Sequence, residues 1–201
     1  MHLVPPDITG IVLAGGRGSR MGGVDKGLQR LDGESLVELA LRRLAPQVGP
    51  LLVNANRHLD VYAQLGVPVW SDADGEFSGP LAGILAGLLH CDTEWLATVP
   101  CDTPRFPRDL VARLAGAIGA APAAVAVTVE EGQRRRQSVF CLLRRSLGAD
   151  LSAFLAAGGR RIESWLQRNG CVDVMFDDAA AFFNANTIDE LRTLEQMPRE
   201  A

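Results

Sequence analysis

Ile8-Thr9-Gly10-Ile11-Val12-Leu13-Ala14-Gly15-Gly16-Arg17-Gly18-Ser19-Arg20-Met21-Gly22-Gly23-Val24-Asp25-Lys26 is the stretch on which the fold turns. Ile8 to Leu13 has the apolar run of a buried strand, and it feeds directly into a glycine-dense loop. Gly15, Gly16 and Gly18 permit positive φ and close backbone approach, so consecutive N–H groups can turn toward an anion. Arg17, Arg20 and Lys26 supply positive charge around that loop. Of the 20 lysine and arginine residues in the chain, Lys26 alone is a lysine. An ammonium is a compact point charge that approaches a reacting phosphate more closely than the broad guanidinium fork, which makes Lys26 the first candidate for chemistry. The alternative is one surviving surface lysine.

Outward from this unit, strands and helices alternate. Ser35-Leu36-Val37-Glu38 has the capping-box pattern and opens a helix through Leu44. A strand at Leu51 to Asn54, a helix around Asp60 to Leu65 and a strand at Val67 to Trp70 complete βαβαβ. Gly79-Pro80 opens a helix through Leu89, since proline suits the first helical position. Trp95 to Val99 is a strand broken by Pro100-Cys101-Asp102-Thr103-Pro104, and Asp109 to Ile118 a helix. Val125 to Val129 and Val139 to Leu143 read as strands around a polar loop, Glu130 to Gln137. Helices at Leu151 to Leu155 and Ile162 to Arg168, a strand at Val172 to Phe176 and a last helix opened by Thr187-Ile188-Asp189-Glu190 follow. Residues 1–201 read as one α/β domain with irregular termini at 1–6 and 198–201.

Composition narrows the functional classes. The 201 residues carry a net charge of −4, which argues against general nucleic-acid binding. No apolar run reaches bilayer-spanning length, and the first residues lack a secretory signal, so a cytoplasmic protein is expected. Cys91, Cys101, Cys141 and Cys171 are widely spaced, as free and mostly buried thiols would be.

In open α/β sheets ligands sit beyond the carboxyl ends of the strands. The glycine loop, Asn54, Asp72 and Asp102 each fall at such an end. Either aspartate alone could simply cap the next turn, but their joint placement beside the loop favours a site. The loop is neither of two common phosphate signatures. A Walker loop needs Gly-Lys followed by Ser or Thr, whereas Lys26 lies between Asp25 and Gly27, and Met21 stands where the dinucleotide fingerprint needs glycine.

The loop from Leu13 to Lys26 resembles the signature of nucleotidyltransferases that join a nucleoside monophosphate to a phosphorylated acceptor. With Asn54-Ala55-Asn56-Arg57, Asp72, Gly79-Pro80-Leu81-Ala82-Gly83, Pro100-Cys101-Asp102-Thr103-Pro104 and Asn184-Ala185-Asn186-Thr187, the chain most resembles the molybdenum cofactor guanylyltransferases over nearly its whole length. The resemblance implies a three-layer α/β/α fold with a Rossmann-like, mostly parallel sheet of the nucleotide-diphosphosugar transferase type. It further implies transfer of GMP from GTP to the phosphate of Mo-molybdopterin. Leu13, Ala14 and Gly15 would meet the nucleotide, Lys26 its phosphates, Asn54 and Asp72 the guanosine half. Asp102 would hold Mg²⁺, Asn184 and Asn186 would face the pterin, and Arg20 and Gly79 are added to the set. A monomer is expected, in transient contact with molybdopterin-synthesis proteins and recipient molybdoenzymes.

The chemistry suits these residue types. Two polyanions must meet, so positioning and charge neutralisation dominate, and Mg²⁺ takes one or two carboxylates plus substrate phosphates. An ionised acceptor phosphate needs no general base, and none of the three histidines is given a role. Arg134-Arg135-Arg136 fits a solvated hairpin, or alternatively a contact to the pterin phosphate or a partner enzyme. Competing readings are a CTP-dependent enzyme for the same pterin, a sugar-1-phosphate nucleotidyltransferase, and a non-catalytic nucleotide-binding escort protein.

Overall fold

The computed structural model describes residues 3–15, 25–72 and 79–196. Arg17, Arg20 and the glycines between Gly16 and Gly23 lie outside them. In chain order the elements are β1 (Ile8–Leu13), β2 (Arg30–Leu31), β3 (Glu34–Ser35), α1 (Leu36–Leu44), β4 (Leu51–Asn54), α2 (Leu59–Tyr62), β5 (Val69–Trp70), α3 (Pro80–His90) and β6 (Trp95–Pro100). There follow α4 (Leu110–Ala117), β7 (Ala123–Glu130), β8 (Gln133–Arg144), α5 (Gly148–Ala156), α6 (Ile162–Arg168), β9 (Val172–Met175) and α7 (Ile188–Gln196).

Strand alternation builds two cores. In β1, Ile8 and Val12 enter one core with Val37, Leu44, Leu110 and Leu114, so that α1 and α4 cover this face. Ile11 and Leu13 enter the other with Leu81, Ile84, Leu151 and Trp165, which brings α3, α5 and α6 onto the opposite face. The sheet order is β5-β4-β1-β6-β8-β7-β9. Every neighbouring pair is parallel except the two made by β8. This is the expected three-layer, mostly parallel architecture. Because α3 is buried on nearly all sides, its sequence is apolar throughout and not merely along one stripe. No helix among the described residues is long and apolar enough to cross a membrane.

Local chemistry sets the boundaries. Glu38 accepts the Ser35 N–H at 2.8 Å while Ser35 Oγ accepts the Glu38 N–H, closing the capping box of α1. The Ser35 hydroxyl holds the Glu38 carboxyl below its ordinary value. The strand expected at Val67 begins only at Val69. Pro68 lends its carbonyl to the Val53 N–H but has no N–H to return, so the ladder starts after it.

The polar loop expected from Glu130 to Gln137 is instead mostly strand. Only Glu131 (φ 51°) and Gly132 (φ 76°) turn, and Glu130 pairs with Gln133. Arg134, Arg135 and Arg136 oppose Val129, Thr128 and Val127. Arg135 pairs with Glu130 at 3.3 Å and Arg136 with Asp173 at 2.7 Å, so these two arginines of the run have partners within the sheet. A second short hairpin, β2–β3, turns at Asp32-Gly33. With α7 it encloses a small cluster of Leu31, Leu36, Ala185, Leu191 and Leu194.

Candidate active site

The parallel register lines up the carboxyl ends of four strands. Leu13 stands level with Asn54 on one side and Pro100 on the other, and Asn54 with Trp70. The ladder runs one residue further: the Ala14 N–H reaches Asn54 O at 2.8 Å, the Cys101 N–H Leu13 O at 3.1 Å, and the Ala55 N–H Trp70 O at 3.1 Å. Gly15, Asn56, Asp72 and Asp102 therefore leave one edge of the sheet together, and their side chains sort into two groups.

In the first group the Asp72 carboxylate is held by two asparagines. Asn54 Nδ2 donates to Asp72 Oδ1 at 2.9 Å and Asn56 Nδ2 to Oδ2 at 2.8 Å. Asn56 also accepts the Asp72 N–H at 2.8 Å and donates to Gly15 O at 3.1 Å. Asn54 and Asp72 are both buried; the amide donors satisfy a carboxylate that burial would otherwise penalise. Two glycines make room for this. A Cβ at Gly83 on α3 would strike Asn54 Oδ1, and one at Gly15 would lie 2.7 Å from the same oxygen. Asn56, quoted within a motif but given no role from sequence, is thus the link between Gly15 and Asp72. Gly79 opens α3 at φ 72°, and a Cβ there would meet nothing within 4 Å among the described residues, so backbone conformation is what glycine supplies.

In the second group Lys26 Nζ lies 3.4 Å from Asp102 Oδ2 and donates to Asn186 Oδ1 at 2.7 Å. Side-chain exposures of 21% and 18% for Lys26 and Asp102 leave the pair reachable from solvent. Burial raises the Asp102 carboxyl above its ordinary value, and the Lys26 charge and hydrogen bond offset only part of that. Asn184 accepts from the Thr103 hydroxyl, and the Ala185 N–H donates to Asp102 O at 2.8 Å. Asn184 and Asn186, which the resemblance assigns to the pterin, thus lie against Thr103 and Lys26 respectively. Asn186 lies directly on Lys26, although 160 residues separate them. The cap of α7 shifts as well: Thr187 Oγ1 accepts the Glu190 N–H at 3.1 Å, but the Glu190 carboxylate reaches back to the Asn186 N–H at 2.7 Å.

Cys101 beside Asp102 is buried, and burial pushes its thiol well above the ordinary range, which removes it as a thiolate nucleophile. Among the described residues no three His, Cys, Asp or Glu side chains cluster as a metal-binding set. A lone, incompletely compensated carboxylate matches the other way of holding Mg²⁺, in which substrate phosphates supply much of the coordination. Asp25 and Tyr62 were not anticipated from sequence. The Tyr62 hydroxyl donates to Asp25 Oδ1 at 2.7 Å, directly beneath Lys26 in the chain; a single tyrosine offers no periodic signal of such a role.

The chain is similar to known proteins over most of its length. The family model described as MobA-like NTP transferase domain matches residues 10–172. A curated relative from Bordetella petrii, named molybdenum cofactor guanylyltransferase, is 57% identical, covering 94% of this chain and 97% of its own. A relative of the same name from Cupriavidus necator is 56% identical, with 94% and 96% covered. Among solved structures, molybdopterin-guanine dinucleotide biosynthesis protein A from Archaeoglobus fulgidus superposes with a TM-score of 0.76 at 22% identity, covering 94% of this chain and 97% of that one. The 4-diphosphocytidyl-2C-methyl-D-erythritol synthase from Anaerococcus prevotii superposes with a TM-score of 0.74 at 12% identity, covering 95% of each chain. At those identities the structural likeness speaks for the fold alone.

Proposed function

Because the chain belongs to the MobA-like NTP transferase family and is a nucleotidyltransferase, we propose that it transfers GMP from GTP to the terminal phosphate of molybdopterin carrying molybdenum. An acceptor phosphate oxygen bonds to the α-phosphorus, the bond from that phosphorus to the β-phosphate bridging oxygen breaks, and its electron pair leaves with pyrophosphate. The attacking oxygen is already ionised, so no side chain has to remove a proton.

The observation that carries the proposal is the convergence of Lys26, Asp102 and Asn186 at the strand ends that also present Gly15, Asn54 and Asp72. Leu13, Ala14 and Gly15 offer backbone to the nucleotide, with Asn54 and Asp72 on the guanosine side. Lys26 stabilises charge on the phosphates as it shifts toward the leaving group. Asp102 would hold Mg²⁺, which when bound neutralises part of the phosphate charge. Asn184 is assigned to the pterin side, Asn186 to the junction of the two substrates through Lys26, and Arg20 to the phosphates.

Purified protein supplied with Mo-molybdopterin, Mg²⁺ and each nucleoside triphosphate in turn tests this. Pyrophosphate and a guanine dinucleotide product should appear with GTP, because a site that hydrogen-bonds one base edge leaves those groups unpaired with another. Equal turnover of CTP would identify a cytidylyl enzyme. Tight GTP binding without turnover would identify an escort protein.

A further inference from the structure

We infer that Tyr62 is a positioning residue for Lys26: through Asp25, its hydroxyl fixes the turn from which the ammonium reaches Asp102 and Asn186. The inference rests on the phosphate role proposed above for Lys26. Tyr62 is the one tyrosine of the chain and is fully buried at the end of α2. A phenylalanine would fill the same space without a hydroxyl to satisfy, so the oxygen has to be explained by its partner. That partner is Asp25 Oδ1, which accepts from the Tyr62 hydroxyl at 2.7 Å and from the Gly27 N–H at 3.1 Å.

These contacts grip the residues on either side of Lys26. Asp25 caps the short 3-10 turn Lys26–Leu28, and the Gln29 N–H closes it on Lys26 O at 3.0 Å. A Cβ on Gly27 would strike the Tyr62 oxygen, so the hydroxyl sits against the turn itself. With both neighbours fixed, the direction in which the lysine stem leaves the backbone is fixed too. The phenol and the Gly27 amide also satisfy a carboxyl group that is buried beside the lysine. Burial and the bond to Asp25 push the phenol above its ordinary value, so it remains a proton donor.

Tyr62→Phe removes the hydroxyl and keeps the ring. Since Lys26 is the only lysine, protein made with ¹³C at the lysine ε-carbon gives one side-chain signal. In the native chain the two ε-protons should be resolved from each other, as a held stem requires; in Tyr62→Phe they should merge. GMP transfer at saturating substrates should fall ~10-fold through misplacement of the charge, with GTP affinity within about twofold of native because what is lost is stabilisation of the charge that develops on the leaving pyrophosphate. Tyr62→Phe combined with Lys26→Met should be no slower than Lys26→Met alone, which a merely structural role would not produce. Gly27→Ala drives a methyl against the hydroxyl and should merge the same signals by an independent route. Native kcat and an unchanged lysine signal in Tyr62→Phe would overturn the inference. Full activity in Lys26→Met would instead overturn the phosphate role of Lys26, with the lysine signal still deciding whether Tyr62 holds it.

Discussion

Exchanging Lys26 for arginine keeps the charge and changes its shape. The ammonium fits between Asp102 and Asn186 at 3.4 and 2.7 Å, a gap that a planar guanidinium cannot enter in the same way. Lys26→Met should lower kcat by ~10² or more, and Lys26→Arg should also be impaired; single-turnover GMP transfer measures both, and full activity in the arginine variant would mean that charge alone suffices. Asn186→Ala removes the shorter of the two contacts to the ammonium. Its expected effect is a loss of ~10-fold in kcat accompanied by a measurable change in GTP affinity. Calorimetric titration with GTP checks this, and unchanged affinity would return Asn186 wholly to the pterin side. From sequence, Lys26, Asn54, Asp72 and Asp102 could be gathered because each follows a recognisable strand. The contact between Lys26 and Asn186 could not, since nothing local ties residues 160 positions apart. Asp25 and Tyr62 escaped for the same reason.

At the level of elements, α5 and α6 are joined by one carboxylate. Asp150 accepts from Trp165 Nε1 at 2.8 Å, Arg168 Nη2 at 2.9 Å and Asn169 Nδ2 at 3.0 Å. The Asn169 hydrogen bond, followed by those from Trp165 and the Arg168 charge, holds its carboxyl below the ordinary value. The stabilisation is therefore present above the unfolded carboxyl's range near pH ~4 and disappears as pH falls through the lower folded value. Asp150→Ala leaves the buried indole N–H without its acceptor and should cost about 1–3 kcal/mol. Urea unfolding at neutral pH reads this loss, and the difference from native protein should shrink in acid. Most elements were legible because apolar periodicity and caps are local signals, as at Ser35 and Pro80. The arm of β8 was not: Gln133 to Gln137 reads as a polar loop because the exposed half of an antiparallel hairpin needs no apolar run. Its turn carries Glu131 at φ 51° where asparagine is usual. The Asp32-Gly33 turn did carry the usual hairpin signal, but its strands are only two residues each.

The molecule as a whole should respond to its substrate as one folded unit, since the rim gathers residues from Leu13 to Asn186. GTP at a hundredfold excess over its dissociation constant stabilises by about 2.7 kcal/mol, a rise in Tm of roughly 5–10 °C for a chain of this size. Magnesium should enlarge that rise in native protein and add nothing in Asp102→Ala; a melting series with GTP, with and without the metal, makes the comparison. The alternation of strands and helices made the layered class legible, whereas the place of β8 between β6 and β7 is a matter of tertiary pairing that periodicity does not encode. That placement separates the synthesis of β6 from that of its partner strand. β6 is complete at Pro100 and pairs with β1, yet its other edge is closed only by a strand ending at Arg144. Until the intervening residues have been made, the edge of β6 that β8 covers from Trp95 to Thr98 has no partner, and an unpaired edge is a template for other strands. Any pause in translation across that interval therefore prolongs the exposure of one strand in the middle of the finished sheet.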